Sequence, residues 1–325
     1  MRWGVLGVAD IAVRKVIPAM KGSVMSLVEA IASRTQSKAA AAADELGIPK
    51  AYGSYEALLA DPAIEAVYIP LPNHLHLEWT LAAAAAGKHV LCEKPLALTS
   101  ADARRMIDAS NHAGVLLMEA FMYRLHPLWL EVRRLIKRGT VGELVAFQSF
   151  FSYRNLDPSD IRNQVSTGGG ALLDIGCYPV NAARMLFGSE PVEVKSLVSR
   201  HPDFGTDVLT SALLDFGGRH ATFTVSTVLE PEQRVDLVGT EGRLRVEIPF
   251  NIPPDRPNRI VIFAGGRPPV DPGVKVVEIA TSDQYSVQAD AFAAAVRSGG
   301  PVPTDPIDAV RNLEVLERIV QYASR

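Results

Sequence analysis

A lysine, a tyrosine and an aspartate are the residues of this sequence best suited to acid–base chemistry. Lys94 lies two positions after the predicted strand 89–92, while Asp174 and Tyr178 stand four positions apart after three consecutive glycines. A tyrosine titrates near pH ~10, and a neighbouring ammonium group favours its phenolate. Such a pair can give or take the proton of an alcohol that is oxidised or a carbonyl that is reduced. We predict Lys94 and Tyr178 as catalytic groups and Asp174 as the anchor of a second substrate hydroxyl.

Two prolines adjoin these residues. Pro95 fixes the backbone direction after Lys94, and a cis peptide bond is one way to do so. Pro179 disfavours helical geometry at Tyr178, so we expect either a kink or a first helical turn there. The structural alternatives are a lysine on the surface, a half-buried core tyrosine and an aspartate that caps a helix.

The first residues predict the unit that would place Lys94. An apolar run ends at Leu6, and a Gly-x-Ala-x-x-Ala turn then leads into a segment with helical spacing. Such a strand, turn and helix bind a dinucleotide, with the pyrophosphate at the start of the helix. Two of the usual three glycines are alanines, and the alternative is a buried strand without a ligand. The predicted cofactor contacts in this turn are Gly7, Ala9, Asp10 and Ile11.

The end of the second predicted strand indicates which dinucleotide binds. NAD-binding units carry an acidic residue there, whereas this chain has Ser33 and Arg34, with Lys38 one turn later. A guanidinium suits a 2′-phosphate through paired charge-assisted hydrogen bonds. We therefore predict NADP(H); the alternative is that both cations belong to a solvated face.

Two further strand ends are expected to line the cofactor crevice, because ligands of open α/β sheets bind at the carboxyl ends of strands. The residues predicted there are Leu71, Pro72, Asn73, His76, Glu93 and Lys94. Asn73 is also expected to cap the following helix, and His76 could do the same. His74 and His76 diverge from each other, so no metal site is expected.

The order of the elements predicts an α/β protein. Strands and helices alternate up to residue 120, which indicates parallel βαβ units in a doubly wound sheet. After residue 121 come a long strand at 144–153, a helical segment at 171–187 and five or six strands between 192 and 263. Short links between these strands indicate an antiparallel or mixed sheet, followed by closing helices at 285–297 and 306–322. We expect a dinucleotide-binding domain at 1–120 and a second domain at 121–325.

Composition excludes several classes of function. The 325 residues carry a net charge of -3, with 48% hydrophobic and 21% charged residues. This charge gives no basic surface for nucleic acid or membranes, and no apolar run is long enough to span a bilayer. With two cysteines and no pattern of a signal peptide, cytoplasm is the expected compartment.

Five motifs together resemble one known family, the oxidoreductases of the glucose–fructose oxidoreductase and inositol dehydrogenase type (Gfo/Idh/MocA). The motifs are the N-terminal turn, Pro72-Asn73-His74-Leu75-His76, Glu93-Lys94-Pro95, residues 119–124, and residues 168–178. The resemblance covers nearly the whole chain. Lys94 matches the family's active-site lysine and Asp174 its motif aspartate. Many members carry a histidine at the position of Tyr178. A tyrosine there resembles the branch that contains glucose–fructose oxidoreductase, dihydrodiol dehydrogenase and NADP-dependent xylose dehydrogenase.

The resemblance implies an N-terminal Rossmann domain and a C-terminal α/β domain on a large, mostly antiparallel sheet. The open face of that sheet often forms a homodimer, or a tetramer built from dimers. The implied reaction is hydride transfer between a nicotinamide and a carbohydrate-like small molecule, with Arg162 near a cofactor-contacting arginine of the family. Two alternatives remain open, namely a ketoreductase of a nucleotide-linked deoxysugar and a regulator that binds NADP(H) without turnover.

Overall fold

The computed structural model of the protein describes residues 1–264 and 273–324, and the chain forms two compact units. The first unit comprises residues 1–122 together with 284–310. The second comprises residues 123–283 and the chain from Arg311 onward. These units differ from the expected domain limits in the segment 284–310, which joins the N-terminal unit.

The first unit contains six parallel strands. They are β1 (Arg2–Leu6), β2 (Leu27–Ala32), β3 (Lys50–Tyr52), β4 (Ala66–Ile69), β5 (His89–Cys92) and β6 (Leu117–Glu119). Their order in the sheet is β3-β2-β1-β4-β5-β6, which is the doubly wound order of a Rossmann fold. The strand order reverses between β1 and β4, and ligands of such sheets bind at the carboxyl ends beside this point. The predicted parallel sheet is confirmed.

A nine-stranded sheet forms the second unit. Its strands are β7 (Leu144–Arg154), β8 (Glu193–Arg200), β9 (Asp207–Asp215), β10 (His220–Ser226), β11 (Val228–Gly239), β12 (Gly242–Val246), β13 (Asn258–Ala264), β14 (Gly273–Ile279) and β15 (Ala323–Ser324). The order is β14-β13-β12-β11-β7-β10-β9-β8-β15, and only the pairs β7–β10 and β8–β15 are parallel among these described strands. The predicted large, mostly antiparallel sheet is confirmed.

The helices join and cover these sheets. They are α1 (Ile17–Lys21), α2 (Gln36–Leu46), α3 (Tyr55–Leu59), α4 (His76–Ala85), α5 (Ser100–Ala113), α6 (Pro127–Lys137), α7 (Cys177–Phe187), α8 (Gln284–Ser298) and α9 (Ile307–Gln321). π-Helical turns precede α1 at Ala12–Val16 and α7 at Leu172–Gly176. Such turns often occur at functional sites.

Helix α8 packs on the first unit because its apolar face completes the core there. Phe292 and Trp3 are both fully buried, and their ring centroids lie 5.5 Å apart. Ser23 Oγ also donates a hydrogen bond to Asp290 Oδ1. These contacts explain why a helix near the end of the chain belongs to the N-terminal unit.

Candidate active site

The loop after β5 is fixed by hydrogen bonds from neighbouring strands. Its Lys94–Pro95 peptide bond is cis, as the sequence suggested. The fully buried Tyr68 of β4 donates its hydroxyl proton to Glu93 Oε1 at 2.6 Å, and the backbone N–H of Leu96 donates to Glu119 Oε1 at 2.8 Å. Lys94, only partly buried, therefore emerges from a loop whose flanking residues are held on both sides.

The ring of His76 joins two of the predicted crevice loops. Nδ1 lies 2.9 Å from Pro95 O and Nε2 lies 2.8 Å from Leu71 O. The ring is fully buried, and this burial lowers the pKa of the imidazole. Both nitrogens thus face backbone carbonyls, and the geometry favours a positioning role for His76 over the predicted cofactor contact.

Asn73 does not begin helix α4, contrary to the prediction. It starts the 3-10 turn Asn73–Leu75, and α4 follows from His76. Pro72 and Asn73 remain partly exposed beside the buried Leu71. This segment therefore still offers surface at the carboxyl end of β4, where the cofactor crevice is expected.

The turn after β1 has the geometry that a pyrophosphate needs. Gly7 has a φ of +119°, and a Cβ there would lie 2.9 Å from Leu71 Cδ2, so the position requires glycine. Ala9 and Ile11 are partly exposed, and Asp10 is exposed at the first helical position. The first N–H groups of a helix have no acceptor within it and can bind an anion. These residues fit the pyrophosphate of a dinucleotide.

The chemistry at the end of β2 fits a 2′-phosphate. Ser33 is buried, whereas Arg34 and Lys38 are exposed. Within residues 1–264 and 273–324, no carboxylate lies within ion-pair distance of either cation. Both positive charges therefore remain available to a phosphate group.

In the second unit, a half-buried carboxylate lies at the start of the helical segment that carries Asp174 and Tyr178. Asp207 Oδ2 accepts a hydrogen bond from the backbone N–H of Leu172 at 2.7 Å and another from Thr210 Oγ1 at 3.2 Å. A Cβ on Gly170 would lie 2.1 Å from Asp207 Oδ1, so only glycine permits this approach. Burial raises the pKa of Asp207. No sequence signal identified this residue, because it lies on β9, 35 positions after its partner Leu172.

Asp174 is held by two side chains. The Tyr153 hydroxyl donates to Asp174 Oδ2 at 2.6 Å, and Arg162 Nε lies 3.4 Å from the same oxygen. Burial, followed by the negative charge of Asp174, raises the pKa of the Tyr153 hydroxyl. Arg162 also pairs with Asp160 at 3.3 Å. The predicted cofactor contact by Arg162 stays a prediction, since its guanidinium contacts two carboxylates of its own unit.

Tyr178 lies in the first turn of α7, which agrees with one of the two geometries expected beside Pro179. It is 4% exposed, and its ring contacts those of Phe250, Tyr123 and Phe151 at centroid distances of 5.1, 5.8 and 5.9 Å. No pattern in the sequence indicated Phe250, which lies in the segment after β12. These rings fix the direction of the phenol and keep one side of it away from water.

The predicted residues thus fall into two groups. The first unit contains Lys94 and all the predicted cofactor contacts other than Arg162, which lies with Asp174 and Tyr178 in the second unit. The approach of the Lys94 ammonium group to the Tyr178 phenol remains a prediction. Among the described residues no group of three or more metal-ligating side chains is found, and no helix is long and apolar enough to cross a membrane.

Comparison with known proteins identifies the family. Residues 1–121 match the Gfo/Idh/MocA oxidoreductase family with an NAD-binding Rossmann fold, and residues 129–245 match the C-terminal domain of the same family. The chain belongs to this family. The predicted family, fold class and enzyme class are therefore confirmed.

Three relatives are similar over most of their length. An uncharacterized oxidoreductase of Rhizobium meliloti is 47% identical over 100% of this chain and 97% of its own. D-xylose 1-dehydrogenase (NADP(+)) 2 of Haloferax volcanii is 40% identical over 99% of this chain and 97% of its own. A crystal structure of a 3-ketoreductase from Actinomadura kijaniata with NADP and TDP-benzene has a TM-score of 0.93 and 33% identity, covering 99% of this chain and 98% of that one.

Proposed function

We propose that this protein is an NADP(H)-dependent oxidoreductase of a neutral sugar, polyol or related cyclic alcohol or ketone. The Haloferax relative, named for D-xylose and NADP(+), supports the predicted reaction class, and the NADP in the structure of the Actinomadura 3-ketoreductase supports the cofactor. One observation carries the proposal: Asp174 and Tyr178 lie on consecutive helical turns of one unit, and Arg162 beside them is balanced by carboxylates. When bound, the nicotinamide supplies or accepts the hydride.

The side chains have separate tasks in this proposal. Tyr178 gives or takes the proton of the reacting hydroxyl, Lys94 orients that hydroxyl and favours the phenolate, and Asp174 binds a second hydroxyl. Solved structures of the Actinomadura 3-ketoreductase include variants of one lysine and one tyrosine. In that enzyme the two substituted positions stand the same number of residues apart as Lys94 and Tyr178. This equal spacing supports their pairing here.

The charges near Asp174 favour a neutral substrate over a nucleotide-linked sugar. Arg162 faces the carboxylates of Asp160 and Asp174, and Asp157 adds a third acid to the same loop. Arg154 stands next to Tyr153 on β7, so strand alternation directs it to the opposite face of the sheet. A pyrophosphate needs uncompensated cations, and this loop offers mainly negative charge. A hydroxylated ring needs none.

A paired assay tests this choice of substrate. We expect free aldoses, polyols or dihydrodiols with NADP+ to give a higher kcat/KM than dTDP-linked ketosugars with NADPH. Both reactions are followed by the absorbance of NADPH, with D-xylose among the first substrates because the Haloferax relative is named for it. Faster reduction of the dTDP-linked ketosugar would replace the proposal by the ketoreductase. Binding of NADP(H) without turnover of any compound would favour the regulator.

The cofactor preference is expected to depend on Arg34. Replacing it with alanine removes a charge-assisted contact to the 2′-phosphate, so Arg34→Ala should raise the Kd of NADPH about tenfold or more. The Kd of NADH should stay unchanged, because that cofactor has no phosphate there. Tryptophan fluorescence titration with both cofactors measures this, with Arg133→Ala as the control, an exposed arginine on α6 in the other unit. Equal weakening of both cofactors would contradict the assignment.

We further propose that the protein lies in the cytoplasm and forms a homodimer through the open face of its nine-stranded sheet. Leu197 on β8 and Leu213 on β9 are 62% and 40% exposed on this face, beside a depression of about 420 Å³. Both cysteines are buried and neither is part of a disulfide, as expected in a reducing compartment. Leu213→Glu should convert the dimer to the 35.1 kDa monomer in sedimentation experiments. Leu130→Glu, at another exposed leucine, is the control. An unchanged mass for Leu213→Glu would exclude this face as the dimer interface.

A further inference from the structure

We infer that Tyr153 is a positioning residue for substrate binding, and that it acts by fixing the carboxylate of Asp174 together with Arg162. This inference rests on the proposed function, in which Asp174 binds a hydroxyl of the substrate. It adds Tyr153, on the central strand β7, to the substrate site and gives Arg162 a part in substrate binding.

The position of Tyr153 follows from the register of β7. Side chains alternate between the faces of a strand, and Phe147 and Phe151 are buried on the face that α7 covers. Tyr153, two residues after Phe151, belongs to the same face. Its hydroxyl reaches Asp174 Oδ2 at 2.6 Å from a ring that is only partly exposed. Strand β7 therefore positions the phenol of Tyr153 beside the π-helical turn that carries Asp174.

The protonation states fit a fixed donor and a charged acceptor. Burial and the charge of Asp174 keep Tyr153 protonated, so its hydroxyl can only donate to the carboxylate. Arg162 Nε, at 3.4 Å from the same oxygen, adds positive charge. These two contacts hold Oδ2 in place before a substrate binds. A pre-oriented acceptor lowers the ordering cost of binding a hydroxyl donor.

Under this inference, Arg162 supports the substrate site instead of making the cofactor contact expected from the sequence. Its guanidinium contacts Asp174 and Asp160, and the charge of Asp174 raises its pKa further. Arg162 therefore links the acidic loop 157–162 to Asp174, the proposed hydrogen-bond acceptor for a substrate hydroxyl. A change at Arg162 should alter sugar binding and leave cofactor binding unchanged.

Tyr153→Phe tests the inference because it removes one oxygen atom and keeps the ring. We expect the Kd of the sugar, measured by calorimetry on the NADPH-saturated protein, which cannot oxidise it, to rise about tenfold, as for the loss of a hydrogen bond to a charged group. The Kd of NADP(H) should not change, and the rise in KM should exceed the fall in kcat. Tyr52→Phe is the matched control, because Tyr52 donates to Asp61 at 2.9 Å far from this site in the sequence and in another unit.

Two further variants test the inference, and the second of them keeps it falsifiable if Tyr153→Phe is unstable. In an Asp174→Ala background, Tyr153→Phe should have no additional effect, because its partner is gone. Arg162→Lys should weaken sugar binding and leave the Kd of NADP(H) unchanged. Additive effects of Tyr153 and Asp174, or weaker cofactor binding in Arg162→Lys, would overturn the inference. A parent protein that binds no sugar would overturn the proposed function as well, whereas equal sugar binding by the parent and Tyr153→Phe would overturn only this inference.

Discussion

Lys94→Ala is expected to lower kcat for the sugar about a thousandfold while the protein still binds NADP(H). The loss has two sources, since the variant lacks both the charge that favours the Tyr178 phenolate and the group that orients the reacting hydroxyl. Positioned acid–base groups contribute about 10²- to 10⁴-fold to the rate. Steady-state kinetics measures the loss of kcat, and a fluorescence titration with NADPH shows whether cofactor binding is kept.

The control for this experiment is Lys137→Ala, an exposed lysine on α6 in the other unit. It should keep the parent kcat, because no part of the proposed chemistry involves it. A Lys94→Ala protein with a nearly normal kcat would remove the ammonium group from the mechanism. Weakened NADPH binding with normal kcat would instead make Lys94 a cofactor contact alone.

Tyr178→Phe is expected to produce a loss of similar size, about a thousandfold in kcat, because the proton donor and acceptor is removed. The aromatic contacts with Phe250, Phe151 and Tyr123 need only the ring, so the fold should be kept. Thermal unfolding checks this, and Tyr52→Phe again serves as the matched control.

Combining the two changes tests whether Lys94 and Tyr178 act as a pair. Residues that act as a unit are strongly non-additive, so the double variant should be hardly slower than either single one. A double variant slower by the product of both losses would show that they act independently. The predicted meeting of the ammonium group and the phenol would then be wrong.

The sequence predicted the Rossmann unit well because local patterns determine it. Strands and helices alternate up to Glu119 as expected, and Thr99 caps α5 by accepting a hydrogen bond from the N–H of Asp102. Helix α8 was assigned to the wrong unit, because an apolar helical face does not reveal which core it completes. The fit of Phe292 against Trp3 exists only in three dimensions.

Several features of the second unit were not predicted from the sequence. Strand β14 was missed, since five of its seven residues are exposed and no buried alternation marks it. The irregular register of β11 between Val228 and Glu232 was likewise not predicted from the sequence. In the site, Asp174 and Tyr178 were found by their spacing. Their supports, Tyr153 and Asp207, come from strands whose register no local pattern reveals.

Transfer of deuterium from substrate to cofactor is the most direct test of the central claim. The protein is incubated with NADP+ and with D-xylose or another neutral sugar that carries deuterium on the reacting carbon, and the NADPH is then analysed by mass spectrometry. The account predicts NADPH heavier by one deuterium with the parent and almost none with Tyr178→Phe at equal cofactor occupancy. NADPH without deuterium, across aldoses, polyols and dihydrodiols that bind the protein, would contradict it.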